Sequence, residues 1–151
     1  MKLAQALMIR ADYQYKINEL KKRITNNVKV QEGEKVAEEP MKLIKDINII
    51  IDELDILVKR INKTNNETIF EGNLTLADAI SSRDSIKKKR NILISVLEEA
   101  SIRQDRYSHS EVKFVSMINV SNLQNEADLL AKQYRELDIK IQEKNWTTEL
   151  I

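Results

Sequence analysis

Arg83 and Arg90 stand seven residues apart on a stripe that also carries Ile86, Ile94 and Leu97, so a helix through this stretch would turn two guanidinium groups toward its apolar side. A guanidinium stays charged, and one placed inward needs a carboxylate, carbonyl oxygens, water or a bound anion around it. The same arithmetic turns Arg10 and Gln14 inward from the first helical stretch, sets Asn48, Asp55 and Asn62 seven apart along one edge of the second, and adds Tyr134 from the last. Asp55 is the one clearly inward acid on this wheel, with Glu126 at its margin. Two chemistries fit. In one, Arg10, Gln14, Asn48, Asp55, Arg83, Arg90 and Tyr134 form a satisfied polar layer that fixes helix register or lines a subunit interface. In the other, the surplus of arginines over acids holds an anionic small molecule, a phosphate or carboxylate gripped bidentately.

The densest run of functional side chains is SIRQDRYSHSEVK, residues 101–113. His109 could act as a general base there, oriented by Asp105 or Glu111, with Ser108 or Ser110 as nucleophile, but the spacing matches no known triad. Arg103, Asp105, Arg106, Tyr107, His109 and Glu111 serve as well to tie a helix end to the chain that follows it. Metal chemistry has little footing. A ferritin-like carboxylate site needs two Glu-x-x-His motifs, and the chain has one histidine. Asp52, Glu53 and Asp55 lack the second acidic pair of an all-helical magnesium site, and we expect neither metal nor cofactor. The basic run at 83–90 has no interleaved aromatics or groove-reading motif, so a solvated face explains it better than nucleic acid.

These side chains must be carried by long helices, because breakers are few. Gly33 and Pro40 bracket the stretch VQEGEKVAEEP, and Gly72 lies within NKTNNETIFEGNLT. Apolar periodicity predicts helices over about 3–28, 41–63, 76–107 and 122–145. Pro40 suits a first helical position, Thr75 and Ser121 read as caps, and Leu123, Leu130 and Leu137 keep a coiled-coil-like heptad spacing. Residues 112–120, rich in β-branched and aromatic side chains, read as extended, as do Thr68, Ile69 and Phe70 before the Glu71-Gly72-Asn73 turn. The expected fold is mainly α: a single domain over 1–151, an antiparallel bundle of about four long helices with short extended segments in its connections.

Composition narrows the function. With 25 basic and 24 acidic residues the net charge is +1, so no global field recruits nucleic acid or an anionic membrane. The absence of cysteine excludes disulfides, thiol nucleophiles and thiolate metal sites. No apolar run approaches the roughly 20 residues of a membrane span. The opening MKLAQALMIR reads as the start of a helix, not a signal peptide, and a cytoplasmic location is the default expectation.

The opening MKLAQALMIRADYQ, the loop VQEGEKVAEEP, INKTN at residues 61–65, RQDRYSHSEVKF at 103–114 and the closing NWTTEL together resemble the septicolysin-like family of small, mostly uncharacterised bacterial helical proteins. The resemblance runs end to end. Its label implies a pore-forming toxin, whereas the residues offer neither barrel-forming hairpins nor a membrane-spanning helix, and it carries over no catalytic residue. The leading expectation is a structural or adaptor-like homo-oligomer. In a simple bundle the two extended segments fall at opposite ends, and an extended segment without a partner finds one in another subunit. An enzyme or binding protein for an anionic small molecule is the alternative, with the toxin third.

Overall fold

The computed structural model describes residues 1–101 and 112–151, and it is mainly α, with four long helices among the described residues. The helices are α1 (Leu3–Asn27), α2 (Pro40–Glu67), α3 (Leu76–Ala100) and α4 (Val120–Thr147); a hairpin of β1 (Ile69–Glu71) and β2 (Leu74–Thr75) separates α2 from α3. The chain divides into two compact units, Met1–Leu76 with Gln142–Ile151, and Ala77–Ile141.

In the first unit α1 starts with Lys2 in an extended conformation, its N–H donating to the Gln5 side chain at 2.9 Å. Leu3, Ala4 and Ala6 are buried at once, so the first turn is also core. α1 ends where buried Asn27 donates to the Arg23 carbonyl and accepts the Glu38 N–H at 3.0 Å. Arg23 grips the Glu38 carboxylate beside it, so the loop returns to the helix it left. Within that loop Gly33 has φ +87° in a turn closed by Glu34 N–H to Gln31 carbonyl, a position that favours glycine. Pro40 opens α2 as its residue type predicts, and Leu43, Leu57, Ile61 and Thr64 carry its buried face against α1.

α2 runs to Glu67, four residues beyond the expected end at 63, and Thr64 supplies the reason. It is fully buried on the same face as Ile61, and its hydroxyl donates to the Arg60 carbonyl at 2.9 Å. The asparagine-rich tail therefore stays helical because its buried side still has something to pack on. The hairpin follows directly. Gly72, at φ +56°, occupies the first position of a two-residue turn, the arrangement of a type II′ hairpin loop. β1 thus pairs with β2 of its own chain, and the argument that this extended segment needs a second subunit falls away.

α3 begins at Leu76, the last residue of the first unit, as expected, with Asp78 in its first turn, and runs to Ala100; residues 102–107 of the expected helix lie outside the described residues. α4 starts at Val120, two residues before the expected position, because Asn119 and not Ser121 caps it: the Asn119 Oδ1 accepts the Asn122 N–H at 3.0 Å. The expected extended segment 112–120 forms no strand over its described residues 112–119, and its last residue belongs to α4. β-branched residues make a strand only against a partner edge, and here the chain instead turns at Ser116, whose hydroxyl bonds both the N–H and the carbonyl of Ile118.

Candidate functional site

Arg83 lies on the inner side of α3, one-fifth exposed, and is fully engaged. Its Nη1 donates to Asp138 of α4 at 2.9 Å, while Nε and Nη2 donate to the neighbouring Asp84 at 3.0 and 2.8 Å. Burial opposes its charge, but the two carboxylates outweigh that and hold the guanidinium above its ordinary pKa. The pair also fixes antiparallel register, since an early residue of α3 meets a late residue of α4.

Arg90, two turns on, has a different fate. Its Nε is buried without a hydrogen-bond partner among the described residues. The register set by Arg83 and Asp138 accounts for this: seven residues along α3, Arg90 comes level with Ala131, seven residues back along α4. The inner positions around that level are Ala127, Leu130, Ala131 and Tyr134, and none carries an acid. Arg10, half-buried on α1, shows the same orphaned Nε.

The other polar positions sort differently from the wheel. Gln14, Asn48 and Asp55 are exposed, and Asp55 pairs along its own helix with Lys59 at 2.5 Å. The acid expected to answer the arginines therefore faces solvent, and Asp138 takes its place. A wheel centred a few degrees away would have admitted Asp138, which borders Leu137 on the heptad seam. Tyr134 is half-buried in the same unit as Arg83 and Arg90, whereas Arg10, Gln14, Asn48 and Asp55 belong to the first unit. The cluster Arg103, Asp105, Arg106, Tyr107, His109 and Glu111 lies outside the described residues. Among the described residues no group of three or more His, Cys, Asp or Glu could hold a metal ion, and no helix is long and apolar enough to cross a membrane.

The first unit holds a cleft of about 260 Å³ between α1 and α2, lined by Ile9, Tyr13, Glu53, Ile56 and Arg60 among others. Glu53 and Tyr13 both line it, and the carboxylate so near the phenol holds the Tyr13 hydroxyl above its ordinary pKa. The sequence points to Glu53 only as one of the acids Asp52, Glu53 and Asp55, and gives no sign of its pairing with Tyr13.

The closing NWTTEL turns out to be a fastening. The Leu3 N–H donates to the Thr148 carbonyl at 2.9 Å and the Leu150 N–H to the Met1 carbonyl at 2.8 Å, so Lys2 and Glu149 form an antiparallel bridge. Glu149 takes the Met1 ammonium at 3.0 Å and the Lys2 ammonium at 2.7 Å. Lys2, and after it the amino terminus, hold its carboxyl below the usual glutamate range. The Ile151 N–H ends on the buried Thr64 hydroxyl, and Arg60 Nε reaches the Ile151 carbonyl.

A mainly helical protein that turns one paired and two orphaned arginines away from solvent is the class that fold and geometry define. The chain belongs to a family of unknown function, DUF6847, whose model matches residues 10–150. Among solved structures it is similar to a functionally unknown conserved protein from Corynebacterium diphtheriae, with 42% identity over 100% of this chain and 99% of that one, at a TM-score of 0.91. Comparison with curated proteins gave no match.

Proposed function

We propose that the chain acts as a self-associating helical protein with a structural or adaptor-like role, copies of it pairing with one another. One observation carries the reading. In the run between α3 and α4, Phe114 is 84% and Met117 93% exposed, and Val112 and Val115 beside them are three-quarters exposed or more. Apolar side chains this close together favour burial by about 25 cal/mol per Å², and such a cluster marks a surface that meets another. Light scattering on the eluting protein, from low micromolar to a few hundred micromolar, tests it. The expected mass exceeds the 17.6 kDa of one chain and falls toward it in the double variant Phe114→Ser, Met117→Ser. A single-chain mass throughout the range refutes the reading.

A second reading is supported by the orphaned guanidiniums. Arg90 presents a buried donor to whatever lies between α3 and α4, and an anion would satisfy it. On this reading phosphate raises the melting temperature of the wild type and leaves that of Arg90→Met unmoved. Equal shifts in both proteins dispose of it.

A further inference from the structure

α4 has a second stripe, turned away from its buried one. Ala127 and Ile141 mark the inner side, and Leu129, Lys132, Glu136 and Ile139 run along the opposite side at steps of three, four and three. Leu129 is 55% exposed and Ile139 53%; Lys132 and Glu136 between them are about equally open. These two charges interact with each other only loosely, at 3.8 Å along the helix. The stripe therefore reads apolar, basic, acidic, apolar, with coiled-coil spacing, and more than half of each side chain is open to solvent.

That order is complementary to its own reverse. Two copies of α4 laid antiparallel about a point between Lys132 and Glu136 would set Leu129 against Ile139 and Lys132 against Glu136, twice each. This is the arrangement in which an a position meets a d position of the opposing helix. Parallel alignment would oppose lysine to lysine and glutamate to glutamate, and a slip of one heptad would put an apolar residue against a charge. The pattern thus favours one orientation and one register. We infer that Leu129, Lys132, Glu136 and Ile139 of α4 form the docking stripe for a second copy of this chain, joined antiparallel through two lysine–glutamate pairs flanked by apolar contacts.

The inference rests on the self-association reading and goes beyond it by naming the surface, the orientation and the pairs. From Leu129 to Ile139 the helix rises about 15 Å, less than a full interface, so pairing through this stripe is reversible and adds to whatever the exposed run at 112–117 contributes. The run leads directly into α4, which places both surfaces in one stretch of sequence.

Sedimentation equilibrium on charge-swapped variants decides the matter. Lys132→Glu would confront four acids across the dyad and Glu136→Lys four bases, so each single change should weaken dimerisation at least about tenfold, while the double swap should return it to near the wild-type value. All four positions are exposed, so helicity measured by circular dichroism should not change. Ile139→Ser, which touches no charge, should also weaken dimerisation and guards against a loss of helix in the charged variants. If the protein dimerises and none of these changes affects it, the stripe is overturned while self-association stands. If the double swap is as weak as the singles, the antiparallel pairing is overturned. If the wild type is a single chain at every concentration, both readings fall.

Discussion

Arg83 and Arg90 have the same residue type and the same face of the same helix, yet one has two carboxylates and the other an orphaned nitrogen. The difference lies in the next residue along α3, Asp84 after Arg83 but Asn91 after Arg90, and in what α4 offers at each level. Arg83→Met strips a guanidinium from Asp138 in a partly buried pair, and we expect a loss of about 1 to 3 kcal/mol, below the 3 to 5 of a fully buried pair because solvent reaches both groups. Changing Asp138 to leucine in the same protein should recover part of it. Arg90→Met removes a donor that has found no acceptor, so it should cost less than Arg83→Met, and urea denaturation of the three variants would reveal the order. A larger loss at Arg90 would mean that its guanidinium is satisfied after all. The inward placement of both arginines was readable from spacing alone, because a helix face is set by period. Their partners were not: Asp55 and Asp138 sit comparably near an apolar stripe, and only the pairing of particular helices in a particular register says which acid meets which base. Nor does any spacing in one helix announce the Tyr13–Glu53 contact, which two helices make together.

Helices betrayed themselves in the sequence wherever burial and breakers agreed. Pro40 opened α2 and Leu76 opened α3 as expected, since a fixed φ and a staple of apolar residues act locally. Where local preference and tertiary packing disagreed, packing won: buried Thr64 carried α2 through a run of asparagines. At α4 one local cap preceded another, the exposed Asn119 coming ahead of Ser121. The β-branched residues of 112–120 favour an extended chain, but over residues 112–119 no strand forms among the described residues. Two changes test the element boundaries. Ile61→Ala, at a position 1% exposed, should cost about 2 to 5 kcal/mol in chemical denaturation. Gly72→Ala forces a side chain into the left-handed region at φ +56°, where nothing crowds it sterically, so the cost is conformational, about 1 to 2 kcal/mol, and Gly72→Asn should be milder. An unchanged melting temperature for Gly72→Ala would show that the turn can relax to another type.

Across the molecule, the residues quoted for the family resemblance at each end prove to be one structure: MKL and TTEL bond to each other, and Glu149 neutralises two ammonium groups. This link depends on pH in a defined sense. Because the folded carboxyl is held below its unfolded value, its contribution is complete above the ordinary glutamate pKa of about 4.3 and disappears as the pH falls through the lower folded value. Glu149→Gln should therefore melt below the wild type at neutral pH, and the gap should close as the pH is lowered below the usual glutamate range. A gap that persisted in acid would assign the effect to packing and not to charge. The same bridge makes the chain nearly a ring. Its two ends already lie in hydrogen-bonding contact, so a linker of a few residues could join them without bending either, and the joined backbone could be opened instead at the Gly72-Asn73 turn. Closing the ring would take from the unfolded chain the freedom of a loop of about 150 residues, worth on the order of 4 to 5 kcal/mol by chain entropy, and would let the protein be read from any starting point its turns allow.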